Sequence, residues 1–488
     1  MILERESTDL CVTNLEQGRK GQQQVVKHQS ITCWYDGYRQ FVFQCTRSEV
    51  KRAKGSMNQV TVLAGGGQRT NPGGFLYRDG AVRVALFNSP QGIAVTKDGD
   101  LIVADSNRIR KIDNHGQVTT VAGSGSFAFG DGQSSGAHFK NPRGVVVTEE
   151  GLIVVADSKN HRIRTVTPEG IVTTLAGSGV AGFADGPGMQ AMFDFPRRVA
   201  IDRNGNVIVA DTNNNRIRIV TQAGQVTTLA GSGNGDFGDG DGSLAHFNQP
   251  SALTVDRAGS IIVADSINQR IRKISSGGKV STVAGNGVHG CTDGPGASAS
   301  FCEPSGLAVD GDGNIVVADC GNHRIRMISS DGNVTTIAGS GSAGFANGAG
   351  TAAATFRSPI DADIDGDGNI IVADFNNCIR KIAAQLTPPQ HSKLPLRLAS
   401  THAHEMAEML EDPTFADVIF QVEETKISAH KAVLVSRCVY FKTMFTSGFK
   451  EGNFCPLGGG GGATNVAIGE TTAPAFKALL RYIYTDVL

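Results

Sequence analysis

The chain has 488 residues, 62 of them glycine, and only 6% are aromatic. Short strands joined by tight turns need many glycines, and an apolar content of 40% excludes a wholly disordered chain. The net charge of −1 argues against bulk attraction to nucleic acid or to a membrane. Nine cysteines without a CxxC pair favour a reducing compartment over a disulfide framework.

Residues 1–57 carry no recognised motif, and two alternatives remain open for them: a disordered arm and a strand-bearing extension. The start, MILERESTDLCV, lacks the basic and apolar regions of a signal peptide. No stretch of the chain approaches the roughly 20 apolar residues of a membrane span. We therefore expect a cytoplasmic protein, with the nucleus as the alternative location.

An apolar strand that ends in Val-Ala-Asp is repeated six times. Its final aspartates are spaced 52, 54, 54, 54 and 55 residues apart. Each of the first five copies is followed by a polar turn, an Arg-Ile-Arg strand, a VTT-x-AG-like strand, a glycine-rich loop and a Phe-x-x-Pro step. One unit thus holds four short β-strands. The six aspartates are Asp105, Asp157, Asp211, Asp265, Asp319 and Asp374.

The two ends of the repeat region predict a closed ring. The strand VTVLAG (Val60–Gly65) precedes the first VAD strand, whereas no equivalent strand follows the last one. Pairing the surplus strand with the incomplete unit removes two exposed sheet edges. An open solenoid, the rival architecture, does not require this match. We therefore predict an all-β, six-bladed β-propeller in which Val60–Gly65 closes the last blade.

Units such as VADSKNHRIRTV and VADCGNHRIRMI, joined by loops such as GSGVAGFADGPG, resemble NHL repeats. The resemblance covers residues 58–384 and implies a binding platform. Two units depart from the pattern: DSNRIR is two residues short, and DFNNCIR has Cys378 in place of an arginine.

The Arg-Ile-Arg strands supply the candidate partner-binding residues of the propeller. One interpretation is structural: arginines paired across blades with the repeated aspartates and with backbone carbonyls. The aspartates themselves are expected to accept N–H groups two residues further on. The other interpretation is a positive ring that grips an acidic protein or RNA. Some NHL propellers bind RNA, but near-neutral charge and an absence of stacking aromatics favour the structural interpretation. The candidates are Arg162, Arg216, Arg270 and Arg324.

An enzyme, a cofactor and a metal are not expected, although a metal-dependent propeller enzyme remains a third alternative. Only the last strand that follows a Phe-x-x-Pro step contains carboxylates, Asp361 and Asp363, and none of these strands contains histidine. The segment Asp363–Asp374 has the spacing of a calcium loop, but it also matches the ordinary turn of these units. His161 and His323 are predicted to face solvent.

The cysteines of the repeats have no predicted chemical role. Cys291 occupies the loop position of Phe183 and is interpreted as a small core residue. Cys320 and Cys378 are placed in turns.

The remaining chain divides into a linker with a short helix, 385–412, and a second domain, 413–488. The second domain resembles a BTB/POZ domain, of mixed α/β structure and incomplete at its C-terminus. The matching residues are Asp417-Val418, His430-Lys431, Tyr440-Phe441, Phe445, Glu451 and Phe476–Tyr484.

The BTB/POZ resemblance implies self-association and recruitment of a cullin scaffold through Phe449 and Glu451, with Asp417 and His430 as further site residues. The predicted function is a non-enzymatic adaptor. Its propeller binds a protein partner, and its BTB/POZ domain dimerises or recruits a cullin ubiquitin ligase. The alternative is an RNA-binding propeller.

Overall fold

The protein is described from a computed structural model. It describes residues 58–65, 77–389, 410, 416–430, 433–434, 464–468 and 472–485. Of residues 26–28, 31–35, 41–42, 464–465, 467–468 and 481–485 it describes the backbone alone. The chain divides into two units, Met1–Ser56 and Met57–Leu488.

The first unit contains one small antiparallel sheet. Its strands are β1 (Val26–His28), β2 (Ile31–Tyr35) and β3 (Phe41–Val42), with β2 in the centre. Val26 lies opposite Cys33, and Trp34 lies opposite Val42. The segment that carried no recognised motif therefore contains strands.

The second unit contains six antiparallel sheets, the blades. Four strands form each sheet, in chain order in the first five blades, and in five blades a two-residue strand from the preceding loop pairs with the fourth strand. β4 (Gln59–Ala64) precedes the first blade. Blade one comprises β5 (Gly80–Ala81), β6 (Pro90–Val95), β7 (Leu101–Asp105), β8 (Arg108–Ile112) and β9 (Gln117–Ala122). Blade two comprises β10 (Gly132–Gln133), β11 (Pro142–Val147), β12 (Ile153–Asp157), β13 (Arg162–Val166) and β14 (Ile171–Ala176). Blade three comprises β15 (Pro196–Ile201), β16 (Val207–Asp211), β17 (Arg216–Val220) and β18 (Val226–Ala230).

Blades four to six repeat the same order. Blade four comprises β19 (Gly240–Asp241), β20 (Pro250–Val255), β21 (Ile261–Asp265), β22 (Arg270–Ile274) and β23 (Lys279–Ala284). Blade five comprises β24 (Gly294–Pro295), β25 (Pro304–Val309), β26 (Ile315–Asp319), β27 (Arg324–Ile328) and β28 (Asn333–Ala338). Blade six contains β29 (Gly348–Ala349), β30 (Pro359–Ile364), β31 (Ile370–Asp374) and β32 (Cys378–Ala383). Short helical turns lie at Ser134–Gly136, Ser158–Asn160, Thr212–Asn214, Cys320–Asn322 and, as helix α1, Gly350–Ala353.

The ring closes as the sequence predicts. β4 pairs antiparallel with β32, from Ala64 opposite Ile379 to Gln59 opposite Ala383, and supplies the outer strand of blade six. The inner strands β6, β11, β15, β20, β25 and β30 each contact the next, and β30 contacts β6. The six-bladed propeller is therefore confirmed, and each inner strand borders the central axis.

Burial on both faces explains why the VAD strands are continuous apolar runs. All five residues of each of these strands are buried, because each sheet packs between two neighbouring sheets. Val154 and Ala156 of blade two, for example, share one apolar cluster with Val207 and Val209 of blade three. The phenylalanines of the Phe-x-x-Pro steps fill the same layers, and Phe193 is completely buried.

The second domain contains one mixed sheet and one described helix. β33 (Val418–Val422) pairs antiparallel with β34 (Thr425–Ala429) and parallel with β35 (Thr464–Ile468). Helix α2 (Ala473–Thr485) packs on this sheet, with the Phe420 and Phe476 rings 5.0 Å apart, edge to face. These elements agree with a mixed α/β domain.

Candidate functional site

The second arginine of each Arg-Ile-Arg strand is a buried structural residue. In blade two, Arg164 donates to Oδ2 of Asp157 over 2.7 Å and to Oδ1 of Asp131 over 2.5 Å. The side chains of Arg164 and Asp157 are both completely inaccessible, whereas Asp131 is 43% exposed. The expected pairing between arginines and repeated aspartates is thus present, but within one blade and not across two. The equivalent arginines are Arg110, Arg218, Arg272, Arg326 and Arg380.

The repeated aspartates bind the Phe-x-x-Pro steps. Oδ1 of Asp157 accepts the N–H of Lys140, 17 residues earlier, over 2.8 Å. Oδ2 accepts the side-chain amide of Asn160 as well as Arg164. The expected partner two residues later was wrong for this aspartate, because its carboxylate points back across the sheet. Burial raises the pKa of the equivalent Asp211 to about 6, against the lowering effects of Asn214 and Arg218.

In blades one to four, the first arginine of the Arg-Ile-Arg strand lies between an aromatic ring and a glycine. Arg162 donates to the carbonyl of Ser178 over 2.7 Å, and its guanidinium carbon lies 3.8 Å from the centre of the Phe129 ring. On the other side is Gly179, where a Cβ atom would lie 2.1 Å from the guanidinium. This contact explains the second glycine of the Gly-Ser-Gly loops. Three of the candidate arginines, Arg162, Arg216 and Arg270, share this arrangement.

These four stacked rings and Phe345, which lies 5.2 Å from the guanidinium carbon of Arg380, form an exposed aromatic rim, defined here as Tyr77, Phe129, Phe183, Phe237 and Phe345. Each is 38–44% exposed, and the repeat places them at equivalent positions around the ring. The sequence argument that stacking aromatics are absent was therefore wrong, because it counted aromatic residues without placing them.

Cys291 interrupts the rim, and its predicted position in the core was wrong because this position is exposed. The fourth candidate arginine, Arg324, has no ring stacked on it among the described residues and donates to the carbonyl of Ser340. Cys378 takes the place of the arginine in blade six, where it begins β32 and is buried. The prediction that Cys378 lies in a turn was therefore wrong, because it is the first residue of this strand.

His161 and His323 join neighbouring blades instead of facing solvent. Nδ1 of His161 accepts the N–H of Phe195 over 3.1 Å, and Nδ1 of His323 accepts the N–H of Ser358 over 3.0 Å. Asn377 makes the same contact with Ser89 of blade one, so this link also crosses the closure of the ring. The donors have positive φ angles, 56° for Phe195, and the side-chain acceptor satisfies an N–H that the turn leaves unpaired.

The axial channel contains a cluster of charges, of which the sequence analysis singled out only Asp361. Its cavity is lined by the residues after each Phe-x-x-Pro step, among them Arg143, Arg197, Arg198 and Asp361. Arg198 pairs with Oδ2 of Asp361, which also accepts the N–H of Ile93 over 2.8 Å. Burial raises the pKa of Asp361 to about 6, against the opposing charge of Arg198. The proline of each Phe-x-x-Pro step could have indicated these channel residues, because it marks the residue at which the inner strand begins.

The segment with calcium-loop spacing is a turn in which the carboxylate of Asp365 is already occupied. Oδ1 of Asp365 accepts the N–H groups of Asp367 and Asn369, each over 2.9 Å, and Oδ2 accepts Lys381 Nζ over 3.0 Å. Across the described parts of the chain, no group of three or more His, Cys, Asp or Glu side chains is placed to hold a metal ion.

The structure places two of the four candidate BTB/POZ residues. Asp417 is exposed just before β33, and His430 is buried just after β34. Each is therefore next in sequence to one of two residues, Val418 and Ala429, that lie opposite each other in the paired strands. The carbonyl of His430 accepts the N–H of Leu434. Phe449 and Glu451 lie outside the described residues.

Comparison with protein-family models gives the class to which these two folds belong. An NHL-repeat model matches residues 139–165, 193–220, 247–274 and 301–326. A BTB/POZ model matches residues 406–488, and a teneurin NHL-domain model matches 34–130. The chain therefore carries NHL repeats on a six-bladed β-propeller, together with a BTB/POZ domain.

The curated relatives share the propeller. NHL repeat-containing protein 2 of Gallus gallus is 30% identical over 349 residues, which is 62% of this chain and 47% of the relative. Teneurin-1 of Homo sapiens is 29% identical over 238 residues, 40% of this chain and 8% of that protein. The chain thus spans less than half the length of either relative.

A solved structure agrees with the fold. A structural genomics protein of unknown function from Bacteroides thetaiotaomicron superimposes with a TM-score of 0.53 at 22% identity, over 67% of this chain and 76% of that one. At this identity the match concerns the fold alone. Among the described helices, none has the length and apolar character that crossing a membrane requires.

Proposed function

We propose that this protein is a non-enzymatic adaptor whose propeller binds a protein partner while its BTB/POZ domain self-associates and recruits a cullin scaffold in the cytoplasm. The observation that carries the proposal is the exposed aromatic rim. Aromatic side chains held rigidly at a surface are typical anchors of protein interfaces, because they bury much area at a small cost in conformational entropy.

The geometry of the rim suits such an anchor. Each stacked guanidinium covers one face of its ring. The distance from the guanidinium carbon to the ring centre is 3.3 Å for Arg108 on Tyr77 and 3.8 Å for Arg216 on Phe183. The arginines in turn donate to loop carbonyls, as Arg216 does to Ser232 over 2.6 Å. A partner therefore meets rings that are already ordered, and binding does not have to pay for immobilising them.

The rim is tested by cross-linking purified full-length protein in cell extract and comparing the wild type with Phe183→Ser, Phe237→Ser. Leu244, which is 70% exposed outside the rim, supplies the control variant Leu244→Ser. We expect a defined set of proteins to be lost from the rim variant and kept by the control. An unchanged set would contradict a partner on the rim.

The BTB/POZ part is tested with the same chain and a purified cullin N-terminal domain. We expect a dimer by light scattering and a complex that Phe449→Ala weakens by roughly thirtyfold, the effect of truncating a typical hot-spot residue. The variant should remain dimeric. If the protein binds no cullin, or if Phe449→Ala binds equally well, the ubiquitin-ligase role fails and self-association alone remains.

RNA remains the second candidate, because exposed rings next to arginines are also found where proteins stack single-stranded bases. Two features weigh against it. The rim guanidiniums are engaged by backbone carbonyls, and residues 58–385 contain 27 basic and 30 acidic side chains. A salt titration distinguishes the two candidates, since phosphate binding weakens steeply with salt. RNA binding with that slope, abolished in Phe183→Ser, Phe237→Ser, would replace the protein-partner proposal.

A further inference from the structure

We propose that the axial channel of the propeller binds the carboxylate group of a small organic acid, held by the guanidinium groups of Arg143 and Arg197. The two arginines occupy the same position in neighbouring blades, directly after Pro142 and Pro196, and both line the axial cavity. This site is separate from the aromatic rim and does not depend on the proposed adaptor role.

The first argument is uncompensated charge. Of the four charged groups that line the cavity, Arg198 and Asp361 pair with each other. The structure places no carboxylate of a described residue in an ion pair with Arg143 or Arg197. Two positive charges therefore remain in a confined space, where a pair of like charges is costly unless an anion neutralises it.

The electrostatic consequences appear in both arginines. Burial, followed by repulsion from Arg197, lowers the pKa of Arg143 to about 9. Burial also lowers the pKa of Arg197, and the attraction of Asp361 and Glu303 offsets this only in part. Each shift means that the charged guanidinium lacks the stabilisation it would have in water. A bound anion would supply that stabilisation.

The second argument is a set of unpaired polar atoms around the same cavity. Nε of Arg143, Nε of Arg198 and Oδ1 of Asp361 are buried without a hydrogen-bond partner among the described residues. Arg143 does contact the Phe195 ring, at 5.1 Å from its centre, so one face of its guanidinium is covered and its edge is left for an acceptor. Buried donors are rarely left unsatisfied in folded proteins.

The donor groups at the cavity select the ligand. The free space between the side chains is about 10 Å³, room for about one water, so only the head group of a ligand enters it. A planar carboxylate can insert its oxygens between two guanidinium groups, which are its preferred bidentate donors. The uncharged neighbours Gln91, Ser251 and Ser305 supply further polar lining around such a group.

The test uses acetate as the probe and the purified full chain, at pH 7.5 and constant ionic strength, with chloride as the exchanged anion. Binding is followed by line broadening of ¹³C-labelled acetate and by thermal melting. We expect saturable broadening and a rise of a few degrees in the propeller transition at acetate concentrations well above Kd. Arg143→Gln and Arg197→Gln should each weaken binding roughly tenfold or more, while Arg257→Gln, a change at an exposed arginine, should bind as the wild type does.

The unliganded variants supply a second readout. Because Arg197→Gln removes one of two repelling charges, we expect it to melt no lower than the wild type when acetate is absent. A clear loss of stability would mean that Arg197 is already compensated, and would overturn the proposal. So would equal shifts in chloride and acetate, or acetate broadening that survives in both channel variants.

Discussion

Nδ1 of His161 in blade two accepts a hydrogen bond from the backbone N–H of Phe195, 3.1 Å away in the loop that begins blade three. Both residues have positive φ angles, 53° and 56°, so two turns in a left-handed conformation are held together by one side chain. Asn215 makes the same contact with Gln249. The link needs an acceptor atom and not a particular side chain.

We predict that this histidine makes the propeller sensitive to acid. Burial lowers the pKa of His161, against the attraction of Asp194, and a protonated Nδ1 cannot accept the N–H. The folded state therefore binds the proton less readily than the unfolded state. Its contribution to stability is present above the unfolded pKa and is lost as the pH falls through the folded pKa. In His161→Asn, which copies blade three, the melting temperature should fall less between pH 7.5 and pH 5.

At pH 7.5 the same variant should be within about 1 kcal/mol of the wild type, since asparagine replaces one neutral acceptor with another and tolerates a positive φ. His115→Asn, at an exposed turn, is the control and should keep the full pH dependence. If His161→Asn and the wild type lose stability in parallel as the pH falls, the histidine is not the titrating group.

The two arginines of one strand should differ sharply when each is replaced. Arg164→Met leaves the completely buried Asp157 without its ion-pair partner, which typically costs about 3–5 kcal/mol. Arg162→Met loses the hydrogen bonds to the carbonyls of Ser178 and Asn160 and one contact with Phe129, a cost of about 1–2 kcal/mol. Urea unfolding of the propeller measures both. Equal losses would contradict separate roles for the two positions.

The sequence predicts the ring and its closure because both depend on counting repeated strands. It does not predict which arginine is buried, since Arg162 and Arg164 are the same residue type and lie two residues apart in one strand. Their difference comes from the loop between β9 and β10, which places Asp131 beside Arg164 and Phe129 over Arg162. The arginines of the axial cluster were missed for a similar reason: residues of several blades line one cavity only when the ring has formed.

Filling the gap in the aromatic rim should stabilise blade five. Arg324 lies beside Gly341 and donates to Ser340, as its equivalents do, but Cys291 stands where a ring would cover it. We expect Cys291→Phe to raise the free energy of unfolding by about 0.5–1 kcal/mol through the restored cation–π contact. The reverse change in blade three, Phe183→Cys, should lower it by a similar amount. A destabilising Cys291→Phe would show that the loop of blade five cannot seat the ring.

The strand that closes the ring should matter far more than the residues before it. Deleting residues 1–57 leaves β4 intact, so the propeller should keep a cooperative melt at nearly the wild-type temperature.

Deleting residues 1–65 removes β4, its pairing with β32 from Gln59 to Ala64 and the completely buried Val60. About five backbone hydrogen bonds at roughly 1 kcal/mol each would be lost. The edge of β32 would then be exposed to pairing with other chains. We therefore expect a sharply lower melting temperature or aggregation for the longer deletion, measured by calorimetry and light scattering. The link between Asn377 and Ser89 should not rescue it, because one hydrogen bond cannot replace a strand. Equal melting of the two deletion variants would mean that β4 contributes nothing to closure.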